Sequence, residues 1–242
     1  MSATERTVIA GLRLKWQEIH ALEGATGPGG ESVGLWVLDD PDAMLDALTQ
    51  EEFDRTDERM PYFAMVWPSA DSLVAAVLAG PRLGGQHVLD LGCGLGACGL
   101  AAARRGARVT FFDWEPRALE IVAASASRQN VSTAGADGLP RPLGPFDFVA
   151  GDWREPPPLG PFDLILGADL LYEARNAPAV ASFLARHLKP GAEAWIADPG
   201  RPQAEPFVAL AAAAGLQSLG RELLPPRAHG GTIALLRLTR ST

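Results

Sequence analysis

The chain has 242 residues, a length that α/β folds often fill as one domain, and 47% of them are apolar against 21% charged. That balance allows a large core and excludes a disordered, collagen-like or disulfide-stapled protein. Twenty-nine acids against 21 bases leave a formal net charge of −8 with no basic stretch, which argues against a nucleic-acid backbone or an anionic membrane as the main partner.

The N-terminal segment, Met1 to Arg6, lacks an apolar signal stretch. No apolar run approaches the ~18 residues that span a bilayer. The only two cysteines are Cys93 and Cys98, so a reducing, cytoplasmic setting is expected. Two β-rich stretches, Val8 to Ile19 and Ser32 to Leu38, flank the Gly/Pro cluster of Gly24 to Gly30. Asp42 to Phe53 reads as a short helix with Pro41 near its start. Residues 1–60 carry 13 acids and 5 bases, and nine of those acids fall between Asp39 and Glu58. Such a run is a solvated face or one that steers a cationic partner. Residues 1–60 are therefore expected to form an acidic extension to a main domain over 61–242.

The main domain opens with an aromatic, Pro-punctuated connector, Pro61-Tyr62-Phe63-Ala64-Met65-Val66-Trp67-Pro68, and a helix over Ser69 to Ala79. Strands and helices then alternate. Strands are expected at Val88–Leu91, Arg108–Phe112, Phe146–Ala150, Phe162–Leu166 and Ala192–Ala197. Helices are expected at Ala97–Arg105, Pro116–Arg128, Asn176–Leu188 and Gln203–Ala214. Lys189, Pro190 and Gly191 read as stop signals for the third of these. Leu216–Leu224 and Thr232–Thr239 are two strands with no helix between them, hence an antiparallel pair closing a parallel sheet. The fold class is α/β: a Rossmann-like, mostly parallel seven-stranded sheet with an antiparallel C-terminal strand and a small β-rich N-terminal extension.

The most informative stretch is Val88-Leu89-Asp90-Leu91-Gly92-Cys93-Gly94-Leu95-Gly96, a strand followed by glycine at every second position and then a helix. Ligands bind where such strands end, and glycine lets backbone approach them closely. Gly94 to Gly99 formally fits the G-x-G-x-x-G dinucleotide fingerprint. Asp90, two residues before Gly92, instead fits the acidic-x-G-x-G-x-G loop of S-adenosylmethionine enzymes, where a carboxylate meets a cationic amine. Asp113 ends the second strand, as an acid holding a ribose diol should in either case. The antiparallel closing pair decides for the methyl-transfer loop. Cys93 and Cys98 read as small buried fillers, and none of the four histidines makes a metal-spaced pair, so no metal is expected.

At these residues the chain resembles the class I S-adenosylmethionine-dependent methyltransferases and, more narrowly, the seven-β-strand lysine-protein methyltransferase family 16. Met65-Val66-Trp67-Pro68-Ser69-Ala70 resembles that family's tryptophan-proline entry segment. Asp169-Leu170-Leu171-Tyr172 resembles its acidic-x-x-Tyr motif. Ala197-Asp198-Pro199-Gly200-Arg201-Pro202 resembles the segment after strand five in enzymes that methylate lysines of the electron-transfer flavoprotein β subunit. The resemblance implies S-adenosyl-L-methionine as cofactor, with Gly92 and Gly94 passing its methionine part, Asp90 near its amine and Asp113 on its ribose. It also implies an adenine contact from Asp152 and Trp153, a pocket wall from Trp67 and an approach by Ala168.

Methyl transfer from a sulfonium needs alignment and exclusion of water. A lysine acceptor, with an ordinary pKa of ~10.4, must also lose a proton, which a neighbouring sulfonium cation favours. Asp169 and Tyr172, just past the fourth strand of the main sheet, are the catalytic candidates: Asp169 to accept a hydrogen bond from the amine, Tyr172 to shape its approach. Asp198 reads as loop architecture, and Arg201 as bonding either a loop carbonyl or substrate. The expected reaction is methyl transfer to an amine nitrogen, foremost a lysine on a protein with a cationic surface. A small-molecule N-methyltransferase with an aromatic pocket built partly by Tyr62 and Phe63, and a cofactor-binding interaction module without turnover, are the alternatives. Base methylation is disfavoured, because the slot after the fourth strand lacks the Asn/Asp-Pro-Pro-aromatic pattern.

Overall fold

The computed structural model describes residues 5–21, 32–41, 62–132, 144–225, 227 and 230–241. The Gly24–Gly30 cluster, the helix expected over Asp42 to Phe53 and most of the acidic run lie outside the described residues.

The main sheet is built from β4 (His87–Leu91), β5 (Arg108–Asp113), β6 (Phe146–Ala150), β7 (Phe162–Ala168), β8 (Leu188–Asp198), β9 (Leu216–Leu223) and β10 (Ala234–Arg240). Their order across the sheet is β6-β5-β4-β7-β8-β10-β9. The first five are mutually parallel, and β10 is antiparallel to both of its neighbours. The described helices are α1 (Pro68–Ala79), α2 (Ala97–Arg104), α3 (Pro116–Ser132), α4 (Asn176–His187) and α5 (Ala204–Ala213).

Residue alternation along the central strands separates two cores. Val88, Val109, Phe111, Leu164 and Leu166 face α1, α2 and α3, whereas Leu89, Leu91, Phe112, Ile165 and Ile196 face α4 and α5. Nearly all these side chains are buried on both faces, as a parallel sheet covered by helices requires. Asp90 and Asp113 share the parity of the first set, so both point to the side where α2 starts.

The N-terminal extension adds a separate antiparallel sheet, β1-β2-β3, from β1 (Arg6–Ile9), β2 (Leu12–His20) and β3 (Ser32–Leu38). Val8 to Ile19, expected as one stretch, is a hairpin. Ala10 and Gly11, with φ of 51° and 78°, make the two-residue turn that pairs Ile9 with Leu12. This sheet packs on the helical layer. The Trp36 N–H donates to Ser125 Oγ at 3.0 Å, and the Arg128 guanidinium lies 4.4 Å from the Trp16 ring while pairing with Glu5 at 2.6 Å.

The strand expected at Ala192–Ala197 is longer. Lys189-Pro190-Gly191 ends α4 but also lies within β8, whose pairing with β7 jumps from Phe162–Leu188 to Leu164–Glu193. The extra residues bulge out at that jump, which accommodates a proline that cannot donate to the ladder.

Candidate active site

The site forms at the carboxyl ends of β4, β5 and β7. After β4 the chain must turn at once into α2, and Gly92, Gly94 and Gly96 take left-handed φ values of 61°, 49° and 74°. The turn is fixed by Cys93 N–H to Phe112 O at 3.0 Å and Gly96 N–H to Cys93 O at 2.7 Å. Close approach is the second demand. A Cβ on Gly92 would stand 2.8 Å from Leu170 Cδ2 and 2.9 Å from Trp153 Cζ3; one on Gly94 would stand 3.1 Å from the Phe63 carbonyl oxygen.

Two buried carboxylates flank this loop. Asp90 Oδ2 accepts the Gly99 N–H at 2.7 Å, and burial pushes its pKa up to about 8. Asp113 Oδ2 accepts the Gly94 N–H at 2.8 Å and Oδ1 the Glu115 N–H at 3.0 Å. Burial raises its pKa to about 6, against the pull of those N–H groups. Asp90, Gly92, Gly94, Asp113, Trp67, Trp153, Ala168, Asp169 and Tyr172 all line one cavity of about 300 Å³. Asp152 does not. Its carboxylate is held by Arg154 at 2.7 Å, which keeps it below the usual carboxylate range, and it faces an adjoining cavity that shares Trp114, Trp153 and Tyr172 with the first.

Asp169 follows β7 with φ of 58°, the left-handed region that a non-glycine residue adopts at a cost. Its N–H is fixed to Ala197 O at 3.0 Å. Its carboxylate is buried, with Oδ1 accepting from Arg201 Nη2 at 2.8 Å and Oδ2 from the Ser69 N–H at 3.3 Å. Asp198 is loop architecture as expected: Oδ1 accepts the N–H groups of Gly200 and Arg201. Of the two bonds expected for Arg201, to a loop carbonyl or to substrate, the first is not what its guanidinium makes: Nη2 donates to the Asp169 carboxylate.

An aromatic row borders the cavity. Trp67 donates Nε1–H to the Tyr62 carbonyl at 2.8 Å, the Tyr62 ring lies 5.8 Å from Trp67, and Tyr172 lies 5.7 Å from Tyr62. Pro68 at the first position of α1 presets the turn that brings this segment over the glycine loop. Burial raises the Tyr172 phenol, opposed by a hydrogen bond with Asn176. Trp114, Met65 and Ser69 also belong to the site surroundings. Trp114 carries a sequence signal, a tryptophan directly after the strand-ending acid. Ser69 acts through its backbone and carries none.

Glycines whose Cβ positions are filled, two buried acids with raised pKa values and an antiparallel strand inserted next to the sheet edge give this domain its likeness to the class I S-adenosylmethionine-dependent methyltransferases. Residues 88–191 match the family described as methyltransferase domain. Magnesium protoporphyrin IX methyltransferase from Synechocystis PCC 6803, solved with bound SAM, shares the fold at a TM-score of 0.56 and 21% identity, over 85% of this chain and 99% of that one. In sequence, the chain resembles the electron transfer flavoprotein beta subunit lysine methyltransferase of Xenopus laevis, 34% identical over 146 residues, 59% of this chain and 54% of that protein. Protein N-lysine methyltransferase METTL21A of Danio rerio is 36% identical over 135 residues, 55% of this chain and 59% of that one. The chain thus spans about half the length of the curated relatives it matches.

Proposed function

We propose that the protein transfers a methyl group from S-adenosylmethionine to an amine nitrogen, namely a lysine side chain of a protein. The observation that carries this reading is the buried Asp169 carboxylate, held at the end of β7 and facing the cavity that the glycine loop and Ala168 also line. When bound, the cofactor supplies a methyl group already activated by its sulfonium. The chain supplies placement. Gly92 and Gly94 would admit the cofactor's methionine portion, Asp90 would hold its ammonium, Asp113 would take the ribose hydroxyls and Trp153 would border the adenine. Asp152, paired with Arg154, contributes there through the neighbouring cavity. Trp67 and Tyr62 wall the crevice from water.

Asp169 accepts a hydrogen bond from the acceptor amine and orients its lone pair. Tyr172 borders the approach. The two relatives above, both described as lysine methyltransferases, support a lysine acceptor. A cationic substrate surface suits the acidic residues 39–58. Among the described residues no helix is long and apolar enough to cross a membrane. We propose a cytoplasmic setting, which the sparing use of cysteine, two in 242 residues, supports.

The test is incubation of purified protein and labelled cofactor with extract from cells lacking it. Label on a discrete protein, recovered as methyllysine after hydrolysis, is the expected result. Label only in small molecules would overturn the lysine reading in favour of a small-molecule N-methyltransferase, which the aromatic lining by Tyr62 and Phe63 favours. Cofactor binding with no transfer to any fraction would leave an interaction module.

A further inference from the structure

Three buried polar atoms beside Asp169 have no hydrogen-bond partner: Ser69 Oγ, Asp198 Oδ2 and Arg201 Nε. Ser69 and Asp198 are fully buried. Leaving such atoms unpaired is costly, so they are expected to gain partners in some state of the site. Two of them match each other. Arg201 Nε is a donor and Asp198 Oδ2 an acceptor, and they stand 4.0 Å apart, about one ångström beyond hydrogen-bond reach. The same guanidinium gives Nη2–H to Asp169 at 2.8 Å. One cation thus lies between two carboxylates and is hydrogen-bonded to only one of them through its side chain.

The surroundings allow the exchange. Asp198 is anchored through Oδ1 by two backbone N–H groups, so Oδ2 stays in place to receive a donor. The arginine side chain remains 30% exposed and has room to shift. Two carboxylates and one guanidinium leave one negative charge over, which an incoming ammonium balances. Next to Asp169, that ammonium repels the guanidinium in a site of low polarity.

We propose that Arg201 is a movable counter-ion of the acceptor site, bonded to Asp169 while no amine is present and passed to Asp198 when an amine takes its place. Arg201 and Asp198 are then positioning residues for the acceptor. The proposal rests on the reading of Asp169 as the amine's partner.

The test needs no knowledge of the protein substrate. Sinefungin carries an amine where S-adenosylmethionine carries its transferable methyl, and S-adenosylhomocysteine carries nothing there. The ratio of their dissociation constants, measured by calorimetry on the full chain, reads the amine's surroundings alone. Asp198→Asn keeps the loop acceptor but removes the second charge, so the preference for sinefungin should fall roughly tenfold. Arg201→Gln removes the competitor and should strengthen that preference. The double variant should regain what Asp198→Asn lost, a sign reversal that a merely structural role does not produce. Additive losses, or a weakened preference in Arg201→Gln, would overturn the proposal. Asp169→Asn separates the two ideas. If it leaves the ratio unchanged, the reading of Asp169 falls and the counter-ion with it. If it collapses the ratio while Asp198→Asn does not, the counter-ion alone falls.

Discussion

Asp90 offers a quantitative test of the cofactor crevice. Its carboxyl is buried, and its pKa stands at about 8 against an ordinary 3.8. At neutral pH the ligand-free protein therefore holds it about nine-tenths protonated. A ligand ammonium favours the carboxylate, so binding of S-adenosylhomocysteine should release close to one proton at about pH 7. Because the ionised fraction governs affinity, the association constant should rise roughly twentyfold from about pH 6.5 to about pH 8.5. Asp90→Asn preserves an acceptor for the Gly99 N–H but removes the charge. It should flatten this profile and weaken binding roughly tenfold to a hundredfold at the alkaline end, the range of a charge-assisted hydrogen bond. Calorimetry in buffers of different ionisation enthalpy measures both quantities. The same group acts on stability with a definite sign. The folded state holds the extra proton between the unfolded and folded pKa values, so the ligand-free protein loses stability as pH rises from about 4 to about 8. Asp113, with its pKa at about 6, steepens the lower half of that fall. Wild-type binding that is independent of pH and releases no proton would refute the reasoning.

Gly92→Ala combines a left-handed φ with a Cβ that meets Leu170 and Trp153 inside 3 Å. Together these should cost about 2–4 kcal/mol and abolish tight cofactor binding, read by thermal unfolding and calorimetry. Gly34→Ala would place a Cβ 2.1 Å from Trp16 Cζ2 and should lower the unfolding temperature by several degrees through the outer sheet; an unchanged melting point would count against the packing described. Asp169→Asn should reduce methyl transfer at least a hundredfold while S-adenosylhomocysteine still binds, as judged by transfer of label and by calorimetry.

Much of this fold is legible in the sequence because its signals are local. The buried strands β4, β5 and β7 read as short apolar runs, and the alternating glycines after Leu91 announce the loop. The β1–β2 hairpin is not legible, because Ala10 occupies a left-handed turn position for which sequence rules expect Asn, Asp or Gly. The bulge in β8 is hidden by a Lys-Pro-Gly triplet that signals an end and not a continuation. At the site, the single residues Asp90, Asp113 and Asp169 stand out, but their partners do not. Ser69 lies 100 residues from Asp169 and Arg201 lies 32 away. Such pairings arise from the sheet topology and leave no periodic trace. Asp152 shows the converse: its place after β6 suggests a ligand contact, yet Arg154, two residues on, captures its carboxylate.

The position of β10 between β8 and β9 has a consequence for how the chain is made. β9 emerges from the ribosome before the strand that joins it to the sheet. Until residues 234–240 arrive, the open side of β8 and the whole of β9 are unpaired edges, each able to recruit a stray strand. A nascent chain paused just before residue 234 is therefore the form most in need of chaperone cover, and a stop codon there would leave a protein whose glycine loop and acids are all present but whose sheet cannot close.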